Sequence, residues 1–528
     1  MTAPENAHLD ENADWPTHGT YEYAEYYHSR AQIHPYTSET AAMLQTAAFD
    51  YVVVGAGPIG AALAFRLARD GVRVLLVEQN WSEPDRIVGE LMQPAGCMAL
   101  GRLGLARAFS GIGAVPAHGY FITYRGRSLY VPYMRGLKGV SFHHGRFVMN
   151  LRAACKAQAT ICCVEASAAE LLRHGDAVRG VRIGPSKADG TGVDVCPRVL
   201  TFVCDGIASQ FRRVLNPAPV ELISHFCGFV LEHEPVETAD FFAARAGVLA
   251  QCRRPSDTHS NPLPMPHNGH VLLDGTGPVL LYQMSERETR VLADLPGPTL
   301  PEPSRLRAAL RESLARAAPK DTYPGLHAKL MAQLDAAPRI RCIASKFIPA
   351  THNRLDGAVW IGDALNVRHP LTGGGMTVGL WDVVHLTELL GASAAVDARA
   401  VRRITAQWHW RRRPRALVVN VLSVALHALF AAETKELGLL REACFAYLAR
   451  GGACTMQPSG FLSGLLASPI LLVFHFFSVA LLALRLRITG ASTAYAGGSL
   501  PMRIFTAFYT LWVAACVILP RIWEELRP

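Results

Sequence analysis

The sequence predicts an α/β protein with apolar helices towards its C-terminal end. Near the N-terminus, an apolar strand runs into the segment Gly55-x-Gly57-x-x-Gly60, and a helix-length apolar pattern and a second strand ending at Glu78 follow. Far downstream, residues 359–363 (VWIGD) read as another buried strand before a glycine-rich stretch. Residues 461–484 contain no charged side chain and are long enough to cross a bilayer as a helix. These observations predict a buried parallel sheet flanked by helices.

The glycine-rich segment is typical of a dinucleotide-binding turn. Gly55 permits the tight turn, Gly57 lets the backbone approach a pyrophosphate, and Gly60 lets the helix pack closely on the strand. The positive end of that helix attracts the phosphates, and Glu78 is placed to accept hydrogen bonds from the adenosine ribose. The alternative is a glycine-rich turn in an ordinary α/β domain. The expected cofactor contacts of this motif are Gly55, Gly57, Pro58, Ile59 and Gly60.

The downstream glycine-rich stretch indicates FAD rather than NAD(P), because nicotinamide enzymes do not need such a distant second site. Asp363, at the end of its strand, can hold a ribityl hydroxyl. Residues 373–375 are all glycine, so their backbone can approach an isoalloxazine edge, and a helix beginning near Gly375 would point its positive end at the ring. We expect Asp363 and Gly374 to contact the cofactor. A plain strand-to-loop turn capped by Asp363 is the alternative.

A third segment, Asp205-Gly206 after a strand at 199–203, completes a pattern that resembles FAD-dependent monooxygenases of the aromatic-hydroxylase type. The resemblance then narrows to the squalene monooxygenase (squalene epoxidase) family, from about residue 48 to about residue 525. Four runs carry it: 83–90 with Gln93-Pro94, 142–147, 366–376 and 475–477. It implies an FAD-binding Rossmann-like domain, an interleaved β-sheet substrate domain and membrane-associated C-terminal helices.

The family resemblance also implies a reaction and its partners. Its members pass one oxygen atom of O2 from a flavin hydroperoxide to squalene, giving (S)-2,3-epoxysqualene early in sterol biosynthesis. Electrons come from NADPH through the NADPH–cytochrome reductase of the endoplasmic reticulum. The enzyme would lie on that membrane with its catalytic domain facing the cytosol. We see no second nucleotide-binding βαβ unit, since Gly275-Thr-Gly277 lacks the helix that one needs.

Several side chains carry over from the family by position. Tyr133 and Gln93 are the expected catalytic residues, because the family tyrosine is thought to hydrogen-bond the glutamine beside the flavin N5 side. Packing alone is the alternative for Tyr133. Gln79 departs from the pattern, since many members have an arginine there. The further expected cofactor contacts are Glu78, Gln79, Arg86, Arg146, Asp363 and Met376.

Three other functions remain open. A different FAD hydroxylase of a hydrophobic or aromatic substrate would take electrons from NADPH directly. A flavin reductase that saturates isoprenoid chains would need no oxygen. A membrane sensor would bind flavin or a sterol precursor without turnover.

Composition excludes other classes. The net charge of +9 is modest for 528 residues, and the arginines flank apolar helices, so we expect a membrane-surface belt rather than nucleic-acid binding. The twelve cysteines show no CxxC spacing and no secretory signal is visible, which favours free thiols in a reducing compartment. We expect no metal site at His143, His144 or His369, because adjacent histidines diverge and His369 precedes a proline.

Two interpretations of the C-terminal membrane region compete. Residues 461–484 and the shorter apolar run 504–519 form either a hairpin of spanning helices or a monotopic pair in one leaflet, and the resemblance favours the second. Residues 418–432 would form a third helix beneath. The expected organisation is a polar disordered tail (1–45), an FAD domain (46–110, 140–222 and 340–400), a substrate domain (111–139 and 223–339) with a flexible loop at 252–268, and a helical membrane region (401–528).

Overall fold

The computed structural model describes residues 15–185, 192–217, 219–235, 263–391, 398–492, 495 and 497–526. The strands are, in chain order, β1 (Ile33–Pro35), β2 (Tyr51–Val54), β3 (Val74–Glu78), β4 (Leu91–Met92), β5 (Val115–Ala117), β6 (Gly119–Tyr124), β7 (Arg127–Pro132), β8 (Gly139–Ser141), β9 (Ile161–Glu165), β10 (Ser167–His174), β11 (Ala177–Gly184), β12 (Val193–Val195), β13 (Leu200–Val203), β14 (Glu221–Glu232), β15 (Gly269–Leu272), β16 (Val279–Gln283), β17 (Glu288–Pro296), β18 (Arg341–Phe347) and β19 (Ala358–Trp360). The α-helices are α1 (Ser38–Thr46), α2 (Pro58–Arg69), α3 (Pro94–Leu103), α4 (His144–Lys156), α5 (Arg212–Leu215), α6 (Pro303–Ala317), α7 (Pro324–Ala336), α8 (Gly375–Leu390), α9 (Ala398–Ala431), α10 (Lys435–Leu448), α11 (Ala453–Leu462), α12 (Pro469–Thr489) and α13 (Leu500–Leu526).

The part of the chain that carries the first glycine motif is built on a six-stranded parallel sheet in the order β1-β9-β3-β2-β13-β19. Its central strands are buried on both faces, as continuous apolar runs in a parallel sheet require. Helices α2, α4 and α8 share the hydrophobic core of this sheet. The predicted strand before the glycine motif, the strand ending near Gly362 and the helix from Gly375 are confirmed.

The prediction of a disordered tail is wrong for residues 15–45. β1 joins the edge of the parallel sheet, with Ile33 opposite Cys163 in β9. Helix α1 follows, and its N-cap Thr37 accepts a hydrogen bond from the Thr40 backbone. Tyr21 is buried against the same core. A few apolar side chains bind this polar segment to the domain; residues 1–14 lie outside the described residues.

The second domain is a seven-stranded sheet in the order β18-β14-β17-β16-β15-β6-β7, antiparallel except at β15 and β6. The predicted strands around residues 271 and 279–282 are confirmed. Helices α6 and α7 pack on one face, and the C-terminal helices cover the other. The structure places β18 in this sheet, beyond the predicted boundary at residue 340. Residues 252–262 of the predicted loop lie outside the described residues. Two small sheets, β10-β11-β12 and β4-β8-β5, complete the fold.

Within the described part of the chain, three C-terminal helices are long and apolar enough to cross a membrane: Arg399–Ala431, Pro469–Thr489 and Leu500–Leu526. The first is 61% buried over its most apolar window, whereas the other two are 28% and 22% buried. The single helix expected over 461–484 is wrong, because α11 ends at Leu462 and α12 begins at Pro469. Ser468 caps α12 by accepting from the Leu471 backbone, and Pro469 occupies its first turn, where a missing N–H costs nothing.

The buried histidines predict a loss of stability in acid. Burial lowers the pKa of His270 to about 4, and its Nε2 accepts a hydrogen bond from the Met265 backbone, which requires the neutral ring. Below pH 6.5 His270 binds a proton in the unfolded chain but stays neutral in the native protein. Its contribution to the free energy of unfolding is therefore complete above pH 6.5 and is lost as the pH falls towards 4. His270→Gln should therefore flatten the pH dependence of urea unfolding between pH 6.5 and pH 4.5 by on the order of 1–2 kcal/mol. His34→Gln, at an exposed position, is the control, and equal pH profiles for the wild type and His270→Gln would contradict the prediction.

Candidate functional site

The three glycines of the first motif occupy the positions that a dinucleotide turn requires. Gly55 has a φ of +99°, and a Cβ there would lie 2.6 Å from the carbonyl oxygen of Cys204. A Cβ at Gly60 would lie 1.9 Å from the Gly55 carbonyl oxygen, so α2 can approach the strand only without a side chain. At Gly57 a Cβ would meet nothing within 4 Å. The space in front of Gly57 is therefore open, as backbone contact with a pyrophosphate demands.

Glu78 is fixed at the end of β3 by the same turn. Its Oε2 accepts from the Ala56 backbone at 2.9 Å, and its Oε1 accepts from the Asn80 backbone at 3.1 Å. Arg152, which is 3% exposed, lies 3.5 Å from Glu78 and donates to the Ala56 carbonyl. Arg152 belongs to α4, and its hydrogen bond to Ala56 stabilises the glycine turn. Gln79 is exposed next to Glu78.

The second motif is packed directly on the first. Ile59, in the first turn of α2, fills the space that side chains at Gly362 and Gly379 would need; a Cβ at Gly379 would lie 2.6 Å from the Ile59 Cδ1. Arg212 donates to the carbonyls of Gly206 and Asp363, which joins the Asp-Gly segment to the strand end. The three motifs that are far apart in the sequence thus meet at one place.

Asp363 lies in an arginine-rich environment. Burial raises the pKa of its carboxyl group, and Arg368, Arg86 and Arg212 lower it. Arg86 is exposed, and its positive charge acts on the Asp363 carboxyl group. Because burial is the larger effect, the pKa of the Asp363 carboxyl group lies above its usual value, and the arginines limit that rise. A carboxyl group in this environment can form hydrogen bonds with a polyol.

Gln93 and Tyr133 come together, but without the hydrogen bond that the resemblance predicts. Gln93 is fully buried and its Nε2 donates to the Thr372 carbonyl at 2.9 Å. The ring of Tyr133 instead packs edge-to-face on Tyr120, with centroids 5.4 Å apart. The hydroxyls of both tyrosines and Gln93 Oε1 are buried without a hydrogen-bond partner. Burial raises the pKa of Tyr120 to about 12, and proximity to Tyr133 and Gln93 lowers it.

The turn between these groups and α8 is held from inside the protein. Arg368, 7% exposed, donates to the Gly375 carbonyl at 3.1 Å and to Asn420 Oδ1 at 2.7 Å. Asn420 in α9 donates in turn to Glu525 of α13 at 2.7 Å. At Gly374 a Cβ would lie 2.4 Å from Val419, so packing on α9 requires a glycine there. The Cβ position of Gly375 is open.

His369 belongs to a buried hydrogen-bond chain. Its Nδ1 accepts from the Leu371 backbone at 3.2 Å, so its Nε2 carries the proton and donates to Ser224 at 2.9 Å. Ser224 donates to one oxygen of Asp294 at 2.5 Å, and His427 Nε2 donates to the other at 2.8 Å. Ligand atoms of Asp294, His369 and His427 lie within 4.8 Å of one another, the spacing of a metal site. Hydrogen bonds already use these atoms, and we interpret the group as a positioning network.

The remaining predicted residues have contacts of their own. Arg146 donates to the Ile112 carbonyl at 3.3 Å. Met376, at the start of α8, lies 3.8 Å from the Cβ position of Gly89. His143 and His144 diverge as expected: His143 contacts Glu288 at 2.8 Å, whereas His144 donates to the Gly89 carbonyl at 2.9 Å. Burial lowers the pKa of His144 to about 4, which keeps this ring neutral.

An apolar cavity of about 100 Å³ adjoins the polar site. Gln93, Tyr120 and Tyr133 form a group that we call the Gln93 cluster. Tyr120 and Thr372 belong to the walls of both the cavity and the polar site, so the cavity is directly adjacent to this cluster. The rest of the wall is almost wholly hydrocarbon and comes from β6, β7, β15 and helices α9 to α12. His475 is a polar exception; its Nδ1 lies 2.8 Å from the Tyr447 hydroxyl. Because α12 forms part of the wall, the cavity lies directly behind the helices with exposed apolar faces.

Sequence reasoning missed Tyr120, Arg152, Ser224, Asp294 and His427. Tyr120 and Asp294 lie in strands that are buried along nearly their whole length, and such a pattern indicates only burial. His427 lies in the apolar part of helix α9, where a histidine was a usable signal of an internal partner. Arg152 lies on the apolar face of α4, and a charged residue at such a position also indicates an internal partner.

The residues present fit FAD. Open space in front of Gly57 and Gly375 suits backbone contact, and Asp363 among arginines suits a polyol chain. The buried oxygens of Gln93 and Tyr133 lack protein partners, as they would beside a polar ring that supplies them.

Comparison with known proteins agrees with this geometry. A family model described as squalene epoxidase matches residues 198–244 and 257–497, and an NAD(P)-binding Rossmann-like domain model matches residues 53–82. The chain is 35% identical to squalene epoxidase of Schizosaccharomyces pombe, covering 90% of this chain and 98% of that protein. It is 36% identical to squalene monooxygenase of Mus musculus, covering 90% of this chain and 78% of that protein.

Solved structures show the same fold at low identity. PqsL of Pseudomonas aeruginosa, described as a probable FAD-dependent monooxygenase, has a TM-score of 0.54 and 21% identity, covering 73% of this chain and 96% of that one. The flavin-dependent brominase Bmp2 has a TM-score of 0.55 and 14% identity, covering 79% and 94%. The fold is therefore that of the FAD-dependent monooxygenases, and by the family model and its relatives the chain belongs to the squalene epoxidase family.

Proposed function

We propose that this protein epoxidises squalene to (S)-2,3-epoxysqualene with FAD and O2. The observation that carries the proposal is the shared wall between the polar site and the hydrocarbon cavity at Tyr120 and Thr372. In such an arrangement an alkene in the cavity would lie next to the flavin edge. The rest of the substrate would contact hydrocarbon side chains and no general acid or base. Held by the glycine turn and Asp363, FAD would supply the two electrons with which O2 transfers one oxygen atom to the alkene and releases the other as water.

The protein's own part is binding, orientation and exclusion of water. Gly57 and Glu78 hold the dinucleotide, and Asp363 with Arg86 holds its middle section. Arg146, Gln79 and Met376 lie at its border. The hydrocarbon wall keeps water from the reacting atoms. A cavity of about 100 Å³ is below the roughly 300–1,000 Å³ of ordinary ligand sites, so a long isoprenoid requires the wall to open. We expect that opening between α11 and α12, which both line the cavity.

Gln93 and Tyr133 orient the reacting edge. The Thr372 carbonyl fixes Gln93 Nε2, which leaves Gln93 Oε1 free to accept from the ring of the cofactor. Burial raises the pKa of Tyr133 well above its usual value, so its hydroxyl stays protonated and can donate. The pair therefore offers one acceptor and one donor at fixed positions.

Helices α12 and α13 form a monotopic attachment to one leaflet, on this proposal. The far end of the pair is tied to α10 through Ser492–Glu442 and Tyr495–Glu436 hydrogen bonds. At the other end Arg521 forms an ion pair with Glu221 of β14 at 2.7 Å. A helix pair held to the protein at both ends lies along it, and its outer face meets lipid. We place the enzyme on the endoplasmic reticulum membrane with its catalytic domain in the cytosol, where NADPH–cytochrome reductase supplies electrons.

The test of the reaction is an aerobic assay of the solubilised full chain with FAD, NADPH and squalene, with and without reductase. Formation of the 2,3-epoxide only when reductase is present supports both the reaction and the partner. Rapid oxidation of NADPH without reductase would favour the hydroxylase alternative. Bound, reducible flavin that yields no epoxide would refute squalene as the substrate.

Tyr133→Phe should lower epoxidation about tenfold, or about 1.4 kcal/mol in the barrier, with little change in FAD content. Its hydroxyl has no protein partner, so removing it costs the fold little. Turnover and flavin absorbance are measured together. Tyr124→Phe is the matched control, because its hydroxyl is also buried without a partner but is not part of the Gln93 cluster. Equal effects of the two substitutions would refute an orienting role for Tyr133.

Asp294→Asn should reduce turnover while FAD binding through the glycine motif persists. The new amide group opposes one of the two donors, Ser224 or His427, at a cost on the order of 1–3 kcal/mol. The turn next to His369 should then loosen. Steady-state turnover and FAD affinity distinguish this effect from unfolding, and Asp356→Asn, which breaks a surface ion pair with Arg402, is the control. Unchanged turnover in Asp294→Asn would show that the network does not position the site.

Replacing Phe505, Phe508 and Trp512 together by serine should release the protein from membranes. These rings are 68%, 59% and 66% exposed on α13. Burying each ring in lipid contributes on the order of 2 kcal/mol. Flotation with liposomes measures the effect. Trp410→Ser, at a ring 60% exposed near the start of the buried helix α9, is the matched control. Flotation of the triple variant at the wild-type level would contradict the proposed membrane face.

A further inference from the structure

Two cysteines face each other across neighbouring strands of the seven-stranded sheet. Cys227 in β14 and Cys342 in β18 are directly opposite in the antiparallel register, and their sulfur atoms lie 3.0 Å apart. Opposed residues of antiparallel strands have Cα atoms about 4.5–5.5 Å apart, within the range that a disulfide spans. We propose that this pair is an oxidative modification site that hydrogen peroxide converts into a Cys227–Cys342 disulfide.

The two thiols have different surroundings, which sets the order of events. Cys227 is 1% exposed, whereas Cys342 is only partly buried and can be reached from solvent. A hydrogen bond from the Cys227 thiol lowers the pKa of Cys342, and the same contact raises the pKa of Cys227. Because the thiolate is the reactive form, Cys342 is the attacking sulfur and Cys227 the resolving one.

The chemistry balances with hydrogen peroxide as the only oxidant. The Cys342 thiolate attacks one peroxide oxygen, the O–O bond breaks, and a sulfenic acid forms as hydroxide leaves. The Cys227 sulfur then attacks the Cys342 sulfur, the S–O bond breaks, and a second hydroxide leaves. The protons of the two thiols convert both hydroxides to water. Two electrons pass from the thiols to the peroxide, and one S–S bond forms.

The reaction of this enzyme provides a local source of that oxidant. A reduced flavin that meets O2 without passing oxygen to an alkene releases hydrogen peroxide; only this source rests on the proposed function, and the site itself does not. The cross-link would fix a strand that touches the flavin-facing turn. β14 carries Ser224, which bonds His369, and Phe226, whose ring lies 5.5 Å from that of His369. The disulfide would thus form in the sheet next to the site where reduced flavin releases hydrogen peroxide instead of oxidising the alkene.

The test uses the purified full chain and added hydrogen peroxide, so that it does not depend on turnover. Thiols are alkylated after exposure, and the non-reduced digest is analysed by mass spectrometry. We expect a peptide pair joined through Cys227 and Cys342, two fewer alkylated thiols per chain, and reversal by a reductant. Cys196→Ser, at an exposed cysteine, should form the same cross-link as the wild type.

Two variants separate the roles of the sulfurs. Cys342→Ser should abolish the cross-link, and Cys227→Ser should leave Cys342 as a sulfenic acid that dimedone traps. The wild-type result decides the proposal even if a variant fails to fold. The proposal is overturned if Cys342 stays alkylatable under conditions that oxidise Cys196, or if Cys342 is oxidised without joining Cys227.

Discussion

The site and the C-terminal helices are held together by the hydrogen bonds of the Arg368 guanidinium group. It lies beneath the turn that precedes α8, donates to the Gly375 carbonyl, and is held by Asn420. A buried turn of this kind exposes carbonyl groups to an apolar interior, and each would be costly without a donor. Through Asn420 and Glu525, the same cluster reaches the last helix of the chain. The turn that precedes α8 and helix α13 are therefore parts of one buried polar assembly.

A second constraint joins the nucleotide-binding half to the seven-stranded sheet. Glu90, 2% exposed, forms two hydrogen bonds with Arg290 of β17 and accepts a third from the Tyr282 hydroxyl. A buried ion pair of this kind contributes little net stability, but breaking it leaves an uncompensated charge and is strongly unfavourable. It therefore specifies how the two domains meet. The hydrocarbon cavity and the polar Gln93 cluster are adjacent as a result of that docking.

The sequence predicted the parts of the site that local motifs encode. The glycine turn, Glu78, Asp363 and the start of α8 follow from backbone rules, and they lie where those rules place them. Tyr120, Ser224 and Asp294 could not be predicted, because their significance arises only when strands distant in sequence pack together. The strand around Ile33 was missed because it is too short to show a period. The break before Pro469 was missed because apolar composition conceals a helix end; Ser468-Pro469 was the available signal.

The central claim is that the buried cluster around Arg368 organises the turn before α8 from the side of helices α9 and α13. Hydrogen–deuterium exchange of the wild type and of Asn420→Ala, followed over residues 369–379, tests it most directly. Asn420 bonds both Arg368 and Glu525 but is not itself in the turn. We predict faster exchange at residues 369–379, with unchanged exchange in the central strands β2 and β3. Unchanged exchange across the turn, in a variant with the wild-type melting temperature, would contradict the claim.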